Sequence, residues 1–186
     1  PPVYLDSPMA INASELLCTY PDDHRLSPGI CRDACAIATY VRDVEGSKAI
    51  TANTYPKIVI SASGMATGGR VLHHIRAFAP DRRNLILFSG FQAAGTRGRS
   101  MVDGATEVKM FGEWVPVRAE VANLPMLSAH ADAGELLRWL GGFRAAPQQV
   151  TIVHGEPDAS EALRVKISRE LGWRAAAARM GQEFRL

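Results

Sequence analysis

No run of apolar residues in this chain approaches the roughly 20 that a membrane-crossing helix needs, so a membrane is not expected as a partner. The amino terminus opens on Pro1-Pro2 without the pattern of a signal peptide, and the expectation is a soluble, cytoplasmic protein. Charge of one sign is also missing. The formal net charge is +2, too slight to mark a nucleic-acid binder by itself, although most of the basic residues are arginines suited to local phosphate sites. Cysteine is scarce. Cys18, Cys31 and Cys35 are odd in number and lack paired spacing, which argues against a disulfide framework. A zinc site built from Cys31, Cys35 and His24 would want a fourth ligand nearby, so the expectation is buried thiols. Internal repeats and low-complexity tracts are absent as well.

What remains is 186 residues of ordinary globular composition, 47% hydrophobic and 22% charged, enough for one large domain or two small ones. Val3 to Leu5 reads as a short strand. Ser7 then caps, and Pro8 opens, a helix with Ile11, Leu16, Leu17 and Tyr20 at helical spacing. Residues 21 to 33 read as a loop, and 34 to 54 fit strand or helix equally. Ile58-Val59-Ile60 is a buried-strand signature followed by a Gly-rich turn into a helix over 70–78, and Leu85 to Phe88 is a further buried strand. Residues 107 to 121 alternate around Phe111-Gly112-Glu113, which predicts an antiparallel hairpin. Helix, strand, helix and strand follow over 133–142, 149–153, 157–171 and 174–178. The predicted class is α/β, a layered α/β/α arrangement around a mostly parallel sheet.

Three constellations could carry chemistry. The segment Ser61-Ala62-Ser63-Gly64-Met65-Ala66-Thr67-Gly68-Gly69-Arg70 lies between a strand and a helix, where free N–H groups and the helix dipole favour an anion. Its glycines have the spacing of a nucleotide P-loop, but Arg70 stands in place of lysine and Val71 in place of the magnesium-binding hydroxyl, which disfavours an NTPase. Gly90-Phe91-Gln92-Ala93-Ala94-Gly95-Thr96-Arg97-Gly98-Arg99 follows the next strand and suits a polyanion, with Phe91 available for stacking. Two such loops after successive strands fall at one sheet edge, where α/β proteins bind ligands. A packing-only role for either loop remains the competing reading.

The third constellation involves histidines. His154 stands where the strand Val150 to Val153 ends, before Gly155 and Glu156, and is the best candidate metal ligand. One imidazole does not hold a catalytic metal, since hydrolytic zinc needs about three protein ligands with a position open for water. Asp132 and Glu135 form a capping box that presents His130 just outside a helix start. His73 and His74, adjacent on a helix, read as surface residues.

Ser128-Ala129-His130-Ala131-Asp132, followed 24 residues later by His154-Gly155-Glu156, with Ser63-Gly64-Met65 and Gly68-Gly69-Arg70 upstream, resembles the β-CASP group of metallo-β-lactamase-fold ribonucleases. The resemblance runs from Val3-Tyr4-Leu5-Asp6-Ser7-Pro8-Met9-Ala10 to the helix ending at Leu171. It implies a β-CASP domain over 1–126 and, over 127–186, the carboxyl-terminal segment of the metallo-β-lactamase αββα sandwich, the RNA-specificity region. It also implies that His154 ligates zinc and that His130 lies beside the scissile phosphate. The implied RNA- or phosphate-binding residues are Ser61, Ser63, Gly64, Thr67, Gly68, Gly69, Arg70, Gln92, Thr96, Arg97 and Ser128.

The family's His-x-His-x-Asp-His motif has no counterpart among the five histidines here. The resemblance therefore implies a carboxyl-terminal portion of a two-zinc enzyme that hydrolyses RNA phosphodiesters in RNA processing or decay. The expected partners are RNA, an amino-terminal metallo-β-lactamase half and a second copy in a homodimer. Alone, the fragment is expected to bind no stoichiometric zinc and to cleave no RNA. The alternative is a non-catalytic RNA-binding or interaction module of the same fold. A Rossmann or flavodoxin-like domain explains the sheet and the Gly-rich turn, but not Ser-Ala-His-Ala-Asp followed by His-Gly-Glu.

Overall fold

The computed structural model describes residues 1–126 and 130–183. They fall into two compact units, Pro1–Ser128 and Ala129–Leu186. The first unit runs β1 (Val3–Leu5), α1 (Pro8–Thr19), a 3-10 turn (Pro21–Asp23), α2 (Pro28–Ala36), β2 (Thr39–Tyr40), α3 (Val44–Ala52), β3 (Ile58–Ile60), α4 (Val71–Phe78), β4 (Leu85–Ser89), α5 (Arg97–Val102), β5 (Glu107–Met110), β6 (Glu113–Pro116) and β7 (Glu120–Leu124). The second runs α6 (Ala133–Gly141), β8 (Val150–Ile152), α7 (Pro157–Glu170) and β9 (Ala175–Ala177). No helix among the described residues is long and apolar enough to cross a membrane.

Strand pairing is parallel wherever a helix connects the strands. β1 lies between β2 and β3, with Tyr4 opposite both Thr39 and Val59. β4 pairs with β7 over five residues, and β8 pairs with β9. β5 and β6 form the expected antiparallel hairpin around Phe111-Gly112, both at positive φ as so tight a connection requires. Parallel neighbours need crossovers, and these carry helices back over the strands, giving the layered α/β class read from the sequence.

Two short signals set the helix starts. Ser7 accepts the amide of Ala10 at 3.3 Å, and Pro8 occupies the first turn. Ser27-Pro28 repeats the device, with Ser27 accepting from Ile30 N at 3.4 Å. Residues 21 to 33 are therefore not the loop expected from their Pro, Asp and Gly content. They hold a 3-10 turn and most of α2, because a serine before a proline starts a helix as readily as it ends one. The ambiguous stretch 34–54 resolves into the end of α2, the short β2 and α3.

The core of the first unit is Ala66, Leu72, Ile75, Ala79, Phe88, Met101, Val108, Met110 and Val115, which gathers α4, β4, α5 and the hairpin around one apolar centre. Burying each of its larger side chains is worth about 1.5–3 kcal/mol. β4 turns only one face to that centre, and β3 lies outside it. Ile86 and Phe88 point inward, whereas Ile58, Ile60, Leu85 and Leu87 are each about half exposed, so the buried-strand reading holds for one side of each strand only. In the second unit Leu137, Leu140 and Ile167 form a smaller core with Val150, Ile152 and Trp173 against it.

Candidate functional site

The segments that follow β1, β2 and β3 meet around a buried carboxylate. Asp6, directly after β1, is fully buried and donates its backbone N–H to Ile60 O at 2.8 Å. Its side chain accepts from Ser47 Oγ of α3 at 2.6 Å, His74 Nε2 of α4 at 2.7 Å and Arg70 Nη1 at 2.6 Å. Because the carboxylate only accepts, Nε2 of His74 carries the proton. Nδ1 of the same ring meets the Thr51 hydroxyl at 3.1 Å. Burial pushes the Asp6 carboxyl up, but the hydrogen bonds from Ser47, His74 and Arg70 outweigh it and hold the group below the usual carboxylate range.

This network corrects two expectations. His74 is not a surface residue; it is 5% exposed and belongs to the buried cluster, while its neighbour His73 stacks on Phe111 with ring centroids 4.7 Å apart. Arg70 does not extend its fork to an outside phosphate. Its guanidinium faces inward, on Asp6, on Val41 O at 2.9 Å and on Arg42 O at 2.7 Å. The sequence held a signal for this arrangement: Arg70 and His74 are four apart and so share one helical face, and Asp6 closes a strand at the sheet end where they arrive.

The Gly-rich segment wraps the start of α4, whose N-cap position, Arg70, makes no side-chain capping bond. Gly69 sits at φ +78°, and a Cβ there would lie 3.0 Å from Ala62 O, so the turn requires glycine. Ser61 donates to Asp6 O at 2.9 Å and is committed to the fold, contrary to its expected role as a phosphate donor. Ser63 and Thr67 bond each other at 2.8 Å on the outer surface, while Gly64 and Gly68 have open space where a side chain would stand. A cleft of about 370 Å³ opens between Ser7-Pro8-Met9 on one wall and Ser63, Gly68 and Gly69 on the other.

The second loop braces the first. Buried Gln92 donates from Nε2 to Gly64 O at 2.9 Å, and Gly98 N donates to Met65 O at 3.0 Å. Arg97 donates to Lys109 O at 2.6 Å and to Ala66 O at 3.3 Å. Thr96 caps α5, accepting from Arg99 N at 3.2 Å and donating to Ala93 O at 2.7 Å. The two loops were expected at the edge of one sheet; they follow strands of separate ladders, since β3 pairs with β1 and β4 with β7, yet their side chains and backbone join them. The joining uses the side chains of Gln92 and Arg97, which, like that of Thr96 bonded within its own loop, were expected to face an anion, and leaves Ser63 and Thr67 outermost. Gly98 allows this contact, since a Cβ there would fall on Gln92 Oε1 and lie 3.1 Å from Met65 O. Gly98→Ala should therefore destabilise the chain by about 1–3 kcal/mol in a denaturant titration, and an unchanged midpoint would refute the close approach.

In the second unit Asp132 caps α6 through the predicted box: Asp132 Oδ1 accepts from Glu135 N at 2.8 Å, and Glu135 Oε2 accepts from Asp132 N at 2.9 Å. His130, two residues before the cap, is exposed as expected. Ser128 lies outside the described residues. His154, two residues beyond the end of β8, is exposed and takes φ +65°, a left-handed conformation uncommon for any residue with a side chain. Gly155 follows because a Cβ there would overlap Ser160 Oγ of α7. The described residues place no group of three or more His, Cys, Asp or Glu ligands around His154; the one such group is Cys18, Cys31 and Cys35. The histidines here thus do not by themselves complete a metal centre.

Comparison with known proteins agrees with these features. A family model described as the Beta-Casp domain matches residues 1–101, and one described as the Zn-dependent metallo-hydrolase RNA specificity domain matches residues 114–178. The protein named ribonuclease TTHA0252 of Thermus thermophilus is 36% identical over 97% of this chain and 42% of its own length. Transcription termination factor FttA of Pyrococcus abyssi is 34% identical over 92% of the chain and 28% of its own length. An RNase J-like protein of Methanocaldococcus jannaschii is 33% identical over 60% of the chain. The chain spans less than half the length of the first two relatives. With more than half of its residues matched by the Beta-Casp model and the RNA specificity model following behind, the chain belongs to the β-CASP family of metallo-hydrolases.

Proposed function

We propose that this chain is the RNA-gripping portion of a zinc-dependent ribonuclease that hydrolyses RNA phosphodiesters in RNA processing or decay, with the remaining metal ligands outside these 186 residues. The observation that carries the reading is the joining of the two Gly-rich loops by Gln92 and Gly98, which holds the Ser63 and Thr67 hydroxyls outward beside the start of α4. Hydroxyls, small residues and an uncapped helix start suit a phosphodiester backbone, whose contacts position the strand without reading its bases. Such a surface needs no strongly basic chain.

His154 offers one imidazole to a metal, and zinc, when bound in the whole protein, would supply an activated water. His130 lies at an exposed helix entry, where it would pass a proton to the leaving oxygen. The missing ligands imply that the 186-residue chain alone neither fills the histidine site with zinc nor cleaves RNA. In the full-length protein, Ser63→Ala with Thr67→Ala should weaken binding of single-stranded RNA by about 1–3 kcal/mol at fixed salt, similarly for unrelated sequences. Fluorescence anisotropy reads this. Unchanged affinity would move the RNA path off this loop. Cleavage of labelled RNA by full-length protein, abolished by a chelator, tests the wider reading, and RNA binding without cleavage would favour a non-catalytic module of the same fold.

A further inference from the structure

The α1–α2 hairpin carries a feature that RNA binding does not use. Cys18 lies in the last turn of α1, while Cys31 and Cys35, four apart, share one face of α2. Their three sulfurs lie within 4.8 Å of one another, and Cys31 is buried. These are all the cysteines in the chain. Cys18 and Cys35 are bridged, contrary to the expectation of three thiols, and their Cα atoms are 7.3 Å apart, wider than the usual range for a disulfide of about 4.4–6.8 Å. The free Cys31 sulfur sits 3.0 Å from Cys18 Sγ, so a two-sulfur bond leaves a third sulfur crowded against it.

We propose that the reduced cluster is a binding site for a soft closed-shell metal ion, zinc foremost, held by the thiolates of Cys18, Cys31 and Cys35. Sulfurs bound at about 2.3 Å around a tetrahedral ion stand about 3.8 Å apart; once reduced, the Cys18 and Cys35 sulfurs must part to that spacing, while Cys31 Sγ, 3.0 Å from Cys18 Sγ, needs to move by less than one ångström. Thiolates select such ions over magnesium or calcium. The site forms after a dithiol reductant takes the Cys18–Cys35 bond to two thiols, itself becoming a disulfide; the ion then displaces one proton from each of three thiols.

No fourth protein ligand comes from His24. Its Nε2 donates to Leu17 O at 2.8 Å and its Nδ1 accepts from Leu26 N at 3.2 Å, so the fourth position falls to water or an outside ligand. The hairpin has reason to use a metal. Ile11 is the one buried residue of α1 and Cys31 the one buried residue of α2, too little apolar surface to hold two helices together. This site would give the 186-residue chain a metal of its own, revising the expectation that it binds none, and it is separate from the histidine site.

The test titrates the reduced, metal-free chain with Co²⁺ under nitrogen. One equivalent should develop the near-ultraviolet thiolate-to-cobalt charge-transfer band, release about three protons and be displaced by Zn²⁺. The band should survive His154→Ala and be lost in Cys31→Ser. No charge-transfer band in the folded wild-type chain would overturn the proposal, as would a band undiminished in Cys31→Ser. If that variant does not fold, the wild-type titration decides alone, because no other cysteine can give the signal. The outcome is independent of RNA binding, so its failure leaves the proposed function untouched.

Discussion

Asp6→Ala should cost the first unit about 3–5 kcal/mol of stability, the largest effect expected from any single substitution in its core, because it leaves a partly buried guanidinium and a buried imidazole without their shared acceptor. Chemical denaturation of the 186-residue chain measures it. The wild-type protein should also show an acid limb that the variant lacks. Burial raises the Asp6 carboxyl, the bonds from Ser47, His74 and Arg70 lower it further than burial raises it, and the net shift is downward. A carboxyl held low in the folded state contributes stability above its unfolded value, near 3.9, and that contribution is lost as pH falls through the folded value. Stability should thus decline more steeply below about pH 4 in wild type than in Asp6→Ala. A loss under about 1 kcal/mol would mean that the Asp6 network does not carry the joint between α3, α4 and β1.

His130→Ala in the full-length protein should lower kcat for RNA cleavage by about 10²–10⁴ while leaving KM and metal content near wild type, the pattern of a lost proton donor. The position supports the role. The capping box fixes Asp132 and the start of α6, so the preceding residues leave the helix in a defined direction and His130 is presented to solvent. His154→Ala should differ in kind, with activity falling because bound metal falls. Metal analysis beside single-turnover kinetics separates the two. A decline in kcat of less than about tenfold for His130→Ala would remove it from the chemistry.

Much of this was legible from residues alone. Ser7-Pro8, the Asp132–Glu135 box, the Phe111-Gly112 turn and the strand-loop-helix rhythm are local signals, and each appears where its chemistry places it. The direction in which polar side chains point was not local. Arg70, Thr96 and Arg97 sit in a loop composition that suits anions equally well whether they face outward or brace the backbone, and only the partners Asp6, Ala93 and Lys109 decide. Distance in sequence hid the rest. Asp6 is 64 residues from Arg70 and 68 from His74, and the face that Arg70 and His74 share does not by itself name Asp6 as the acceptor it meets. The converging cysteines were hidden likewise, since Cys18 meets the other two only after residues 28–36 fold as a helix.

The bracing of the two loops bears on how long RNA would stay. A loop whose own side chains already hold it loses little freedom when a ligand arrives, so binding carries a small ordering penalty. Gln92, Thr96 and Arg97 give up contacts with the ligand to hold such a surface ready. Weakening them should leave the rate of encounter with RNA nearly unchanged and shorten the life of the complex, because a loosened loop is lost through faster dissociation.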